Sequence, residues 1–190
     1  MPCENEAITK AFGRLGAENS DDVKIIIEDF NVDNYVWFER LCELAEKESI
    51  YDINTLAGAV SNADMDLDKL TRAVEYAGVG DAVSLASLAE NLSMFTVFEG
   101  VRDYGDIGRC FVNNSYGYSV SPVLENFIDY ENLGRHIAEE YNGKFVDGAF
   151  VCIKKGHTLD EIISEENQNH MNQQVDENED QDECFGMQIM

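Results

Sequence analysis

The chain has 190 residues, with 38 Asp and Glu against 13 Lys and Arg, giving a formal net charge of −25. Its hydrophobic fraction of 44% and aromatic fraction of 10% belong to a folded protein and not to a solvated polyacid. So acidic a surface excludes direct nucleic-acid binding and docking on an anionic membrane leaflet, because both need Lys and Arg. The partners it favours are cations, basic proteins, or a protein whose own task is to hold DNA.

The charge is not confined to one end. From Thr158 to Met190 there are ten acidic residues and no Lys or Arg; removing them leaves 28 − 13, or 15, net negative charges on residues 1–157. Self-repulsion on that scale destabilises a compact body, so a functional reason for keeping it is sought. Solubility or adaptation to high salt is the plain alternative.

No apolar run of 18 residues is present to span a bilayer. The opening MPCENEAITK has neither the basic nor the apolar region of a signal peptide. Cys3, Cys42, Cys110, Cys152 and Cys184 are odd in number and form no CxxC. A cytoplasmic chain with reduced thiols is expected, with Cys42, Cys110 and Cys152 as small core residues.

Ile8, Ala11, Phe12 and Leu15 recur at helical spacing, which predicts a helix over 4–16 with Gly16 as its stop. The β-branched Val23–Phe30 predicts a strand. Asp33 or Asn34 then caps a helix to about Lys47, burying Tyr35, Phe38, Leu41, Cys42 and Ala45. Three more helices follow through short loops, as in an antiparallel bundle: one from Asp52 or Asn54, one over 66–77 and one over 84–92.

The pattern then changes. Met94–Val101 predicts a strand and Asp103–Asn113 a helix. Pro122 opens a short helix through Phe127, and Asp129–Tyr141 forms another. Asp147-Gly148 between two apolar runs is a hairpin signal, pairing 144–146 with 149–153. A helical turn is expected near 160–166, and disorder from Asn167. No sequence repeat stands out. The expected fold is α+β: a small α/β lobe (1–32), a helical lobe (33–93), a C-terminal α/β lobe with a β-hairpin (94–157) and an acidic, largely disordered tail (158–190).

Motifs for chemistry are weak. Asp64, Asp66, Asp68 and Glu75 match the acidic spacing of a calcium loop. Lys69 stands where the loop needs Gly, and Thr71 where an apolar residue packs. A helix N-cap with an acidic first turn is the preferred reading. His136 and Glu140 lie one helical turn apart without a second His. The glycines form no nucleotide loop, and no nucleophile elbow is recognisable. No enzyme activity, metal or cofactor is expected.

What remains is the acidic surface. Glu39, Glu43 and Glu46 lie opposite the apolar face of the first bundle helix, and Asp64, Asp66, Asp68 and Glu75 opposite that of the third. Asp103, Asp106, Glu125, Asp129, Glu131, Glu139 and Glu140 line the last lobe. Like charges one helical turn apart cost a few tenths of a kcal/mol per pair, roughly. A merely solvated face would intersperse Lys and Arg.

The stretch from Asn126 to Ile137 (NFIDYENLGRHI), followed by Gly143-Lys-Phe145 and Gly148, resembles the C-terminal domain of the ArdA antirestriction proteins. Ile128, Asp129, Tyr130, Glu131, Leu133, Gly134 and Arg135 carry the specific part. Phe98–Asp106 and Ile8–Gly16 resemble the same family more loosely, so the likeness covers roughly residues 5–156. The resemblance implies an elongated, dimeric, cytoplasmic mimic of bent B-form DNA. Such a protein occupies the DNA groove of a type I restriction–modification enzyme, presenting carboxylates where phosphates would sit. It implies no direct nucleic-acid binding and no membrane partner. Another DNA-binding target, such as a CRISPR effector or a nucleoid protein, and an acidic adaptor are the alternatives.

Two features depart from the family. Its members usually open with a strand and loop before the first helix, so a short N-terminal lobe is expected. The tail after Gly156 is extra and reads as a solubility appendage ahead of an extension of the mimicry. Arg135 is expected to organise nearby carboxylates. Phe145, Phe150 and Val151 are expected in the core, with a dimer interface as their second reading.

Overall fold

The computed structural model describes residues 3–17, 22–28, 35–61, 66–113 and 120–164. Asp33, Asn34, Asp64 and the expected disorder after Asn167 lie outside the described residues. The fold is α+β: mostly helical, with one three-stranded antiparallel sheet.

Helix α1 (Asn5–Leu15) buries Ile8 and Phe12 and ends at Gly16, whose φ of 71° is left-handed. A helix commonly stops this way because glycine has no Cβ to clash. The Asn54 side chain fixes the segment before α1: Cys3 N donates to Asn54 Oδ1 at 2.9 Å, and Asn54 Nδ2 donates to Cys3 O at 2.7 Å. Buried Asn54 is thereby satisfied.

The bundle comprises α2 (Tyr35–Ala45), α3 (Ile50–Ser61), α4 (Leu67–Ala77) and α5 (Ala82–Glu90). Helix α2 buries Trp37, Leu41, Leu44 and Ala45, a face rotated from the expected one. Trp37 Nε1 donates to Thr71 Oγ1 at 3.0 Å, tying α2 to α4. Helix α3 starts earlier than expected, because Ser49 and Asp52 form a capping pair. The Asp52 amide donates to Ser49 Oγ at 3.2 Å, and Ser49 Oγ donates to Asp52 Oδ2 at 2.6 Å. Asp66 caps α4 and Asp81 caps α5, their carboxylates accepting from Lys69 N and Ser84 N.

Two expected elements are corrected. Residues 23–28 form no strand, although burial alternates along them: Ile25 and Ile27 pack on the bundle core while Ile26 is 73% exposed. A strand needs a partner for its backbone groups, and none pairs with 23–28 among the described residues. Residues 121–127 form turns and a single 3-10 turn (Glu125–Phe127), not an α-helix. All seven are exposed, so no packing within the chain supports a helix there.

The sheet is built from β1 (Phe95–Glu99), β2 (Lys144–Val146) and β3 (Ala149–Ile153) in the order β1-β3-β2. Side chains alternate across it. Phe95, Val97, Val151 and Ile153 join the bundle core, while Phe98, Phe150 and Cys152 join a second core under α6 (Tyr104–Asn113) and α7 (Tyr130–Glu140). Strand β3 is buried at every position, as a central strand covered on both faces must be. The β2–β3 hairpin turns on Asp147 (φ 40°) and Gly148 (φ 74°), matching the sequence signal. A last helical turn, 159–164, packs Leu159, Ile162 and Ile163 on the bundle core.

Helices α6 and α7 approach so closely that glycine is required on both. A Cβ on Gly108 would strike the Tyr130 carbonyl oxygen, and one on Gly134 the Tyr104 carbonyl oxygen.

Gly134→Ala is therefore expected to cost about 3 kcal/mol, the upper end of overpacking penalties. Gly105→Ala meets only side-chain atoms, the capping Asp103 Oδ1 at 3.2 Å and Arg109 Nη1 at 3.4 Å. It is expected to stay within about 0.5 kcal/mol of the parent, because stiffening of the unfolded chain offsets the crowding of the cap. Urea unfolding of the two variants checks this contrast. Burial also pushes the Cys152 thiol up to about 11 from an ordinary value of 9.0. Between those pH values the unfolded chain sheds a proton that the native chain keeps. This contribution to stability is thus complete below pH 9.0 and is lost as pH rises towards 11. Subtracting the pH profile of Cys152→Ala from that of the parent isolates the effect.

Candidate functional site

The acidic residues singled out in the sequence fall on one kind of surface. Glu39, Glu43, Glu46, Asp66, Asp68, Glu75, Asp103, Glu125, Asp129, Glu131, Glu139 and Glu140 are all exposed, and Asp106 is half-buried; Asp64 lies outside the described residues. Some are occupied within the chain. Asp66, Asp103 and Asp129 cap helices through Lys69 N, Asp106 N and Asn132 N. Glu140 accepts from Lys155 Nζ at 2.6 Å. Glu39, Glu43, Glu46, Asp68, Glu75, Glu125 and Glu139 are in no ion pair among the described residues.

The crossing of α6 and α7 explains the motif residues. Asp103-Tyr-Gly-Asp-Ile-Gly-Arg109 and Asp129-Tyr-Glu-Asn-Leu-Gly-Arg135 share the pattern D-Y-x-x-(I/L)-G-R. This is an internal repeat, contrary to the expectation of none. Each copy opens with a capping Asp, at 2.9 Å to Asp106 N and 3.1 Å to Asn132 N. Each Gly receives the backbone of the other copy's Tyr. Each Arg lies over the other copy's ring: Arg109 is 5.3 Å from the Tyr130 centroid and Arg135 is 4.6 Å from that of Tyr104. Each Arg also pairs with an acid of its own copy, Arg109 with Asp106 at 3.4 Å and Arg135 with Glu131 at 2.7 Å.

The arrangement is a reciprocal clamp related by a pseudo-two-fold axis. Cation–π contacts at exposed sites contribute about 0.5–1 kcal/mol each. Their larger effect here is directional, since both guanidinium groups are held against aromatic faces. Ile128 and Leu133 are half-buried beside the clamp. Phe150 and Val151 are fully buried within the chain, while Phe145 is 37% exposed and stacks edge-on against Tyr104 and Phe150.

Two features of the acidic surface were not read from the sequence. The repeat was legible as two D-Y-x-x-(I/L)-G-R strings, and it went unseen because the intervening residues differ. A second acidic group needed the fold. Burial, then Asp52, then Asp81 raise the Glu48 carboxyl above its usual range, with Lys47 opposing. Asp52 and Asp81 serve different helices, so spacing alone does not bring them to Glu48.

Among the described residues, no group of three His, Cys, Asp or Glu is arranged to hold a metal ion. None of their helices is long and apolar enough to cross a membrane. No curated protein and no solved structure matches the chain. Residues 1–152 match the sequence model of the antirestriction protein family ArdA. That match covers most of the 190 residues and includes both copies of the repeat. The chain therefore belongs to the ArdA antirestriction family, whose members act as non-catalytic inhibitors of restriction and not as enzymes.

Proposed function

We propose that this chain mimics bent B-form DNA and occupies the DNA-binding groove of a type I restriction–modification enzyme in the cytoplasm. One observation carries the reading: Glu39, Glu43, Glu46, Asp68, Glu75, Glu125 and Glu139 are exposed and in no ion pair among the described residues. Duplex DNA presents about one negative charge per 1.7 Å of axis. A protein groove built for that charge meets Asp and Glu with its Lys and Arg, in charge-assisted and often bidentate hydrogen bonds. Self-repulsion already present in the free inhibitor is relieved as the basic groove closes on it.

The working unit is a homodimer. Val123, Leu124 and Phe127 are 75%, 55% and 83% exposed on one short segment, an apolar surface that a second copy would cover.

The test removes charge without removing caps. In Asp103→Asn, Asp106→Asn, Asp129→Asn and Glu131→Gln combined, asparagine caps helices about as well as aspartate, so the fold is retained. Inhibition of a type I enzyme is expected to weaken by about tenfold or more, with a shallower dependence on salt. Unchanged inhibition by a folded quadruple variant would remove the D-Y-x-x-(I/L)-G-R face from the binding surface.

A further inference from the structure

Lys69 and Lys154 differ from the arginines of the clamp. Neither has an ion pair or a side-chain hydrogen bond among the described residues. Both line a cleft of about 820 Å³ between the first turns of α4 and the outer edge of β1, together with Asp66, Asp68, Arg72 and Glu99. Asp66 caps α4 and keeps its charge. Arg72 pairs with Glu99 at 2.9 Å and donates to Asp147 O at 2.9 Å. The three cations of the lining balance its three acids, which makes it a neutral patch in a chain of net charge −25, and the two ammonium groups are its cations outside an ion pair. Burial, aided by the Lys154 charge and opposed by Asp66, holds the Lys69 ammonium below its ordinary range. Beside the cleft, β1 is the edge of the sheet, with β3 its only ladder partner among the described residues. An edge strand flanked by cations suits an acidic extended segment.

The chain carries such a segment. Asp176-Glu-Asn-Glu-Asp-Gln-Asp-Glu183 holds six carboxylates and no cation. The helical turn 159–164 anchors the preceding chain to the same apolar core as Phe95 and Val97. Eleven residues separate Ser164 from Asp176, a tether reaching up to about 40 Å. A tether of that kind gives a local concentration on the order of millimolar, enough for a weak ionic contact to be populated.

We propose that residues 176–183 dock in the cleft along the outer edge of β1, with their carboxylates on the Lys69 and Lys154 ammonium groups. The contact neutralises two cations that would repel a basic groove. It goes beyond the inhibitory reading above and stands independently of it, because its test involves no restriction enzyme.

Zero-length carbodiimide cross-linking of the full chain at low salt tests it, on an equal mixture of unlabelled and 15N-labelled protein. The expected products are amide bonds from Lys69 and Lys154 to carboxylates in 176–183, formed within single molecules. They should fall several-fold at about 0.5 M salt. They should vanish when the six acids become Asn or Gln, while links from Lys69 to Asp66 or Asp68 persist as the internal control. Mixed-isotope products alone would assign the cleft to a second copy and overturn the proposal. So would control links without any to 176–183.

Discussion

Burial of β3 on both faces is the constraint on which the rest depends. Ala149, Val151 and Ile153 point one way and Phe150 and Cys152 the other, and every position is covered. One short strand therefore closes two cores, that of the helical bundle and that under α6 and α7. Arg72 adds a polar brace by joining α4 to Glu99 on β1 and to the carbonyl of Asp147 at the hairpin turn. Tyr76 adds another, donating to Asn142 O at 2.7 Å beneath the Lys144 ammonium. A scaffold fixed in this way holds its surface charges in place, and ordered charge is what a mimic of a rigid polyanion requires.

The charge itself is costly to fold. Exposed carboxylates feel one another within about 8 Å at physiological salt. Few cations relieve them, and several of those few are directed at rings: Arg40 at Trp37, Arg109 at Tyr130, Arg135 at Tyr104 and Lys144 at Tyr76. Arg109 and Arg135 also pair with Asp106 and Glu131, whereas Arg40 and Lys144 are held at aromatic faces without an ion pair among the described residues. The chain thus gains packing from its basic residues while leaving much of its acidic surface unpaired. Helix N-caps use acids in a compatible way. Asp66, Asp81, Asp103 and Asp129 satisfy backbone amides and stabilise the positive ends of their helices while remaining exposed.

Much of this was legible in the sequence, for identifiable reasons. Bundle helices announced themselves because Leu56, Leu70, Val74, Leu85 and Leu88 recur at helical spacing and are all buried. Asp147-Gly148 announced the hairpin because only a few residues accept two successive positive φ angles. The segment 23–28 misled because its alternation is real, yet alternate residues pack on a helical core and not within a sheet. Trp37 was missed because the burying face of α2 is set by its contact with α4, through Thr71, and not by α2 alone. The carboxylates were legible as charge. The reciprocal clamp that orients some of them needed the antiparallel crossing of α6 and α7, a tertiary fact foreshadowed only by the D-Y-x-x-(I/L)-G-R repeat.

The central claim is that carboxylates stand in for phosphates, so inhibitor and DNA must exclude each other. The most direct measurement is equilibrium competition on a type I methyltransferase core holding fluorescent duplex DNA, titrated with this protein at several salt concentrations. The account predicts complete displacement, no ternary complex, and an inhibitor affinity that falls with salt as that of DNA does. A ternary complex of enzyme, DNA and inhibitor, or an affinity indifferent to salt, would contradict it.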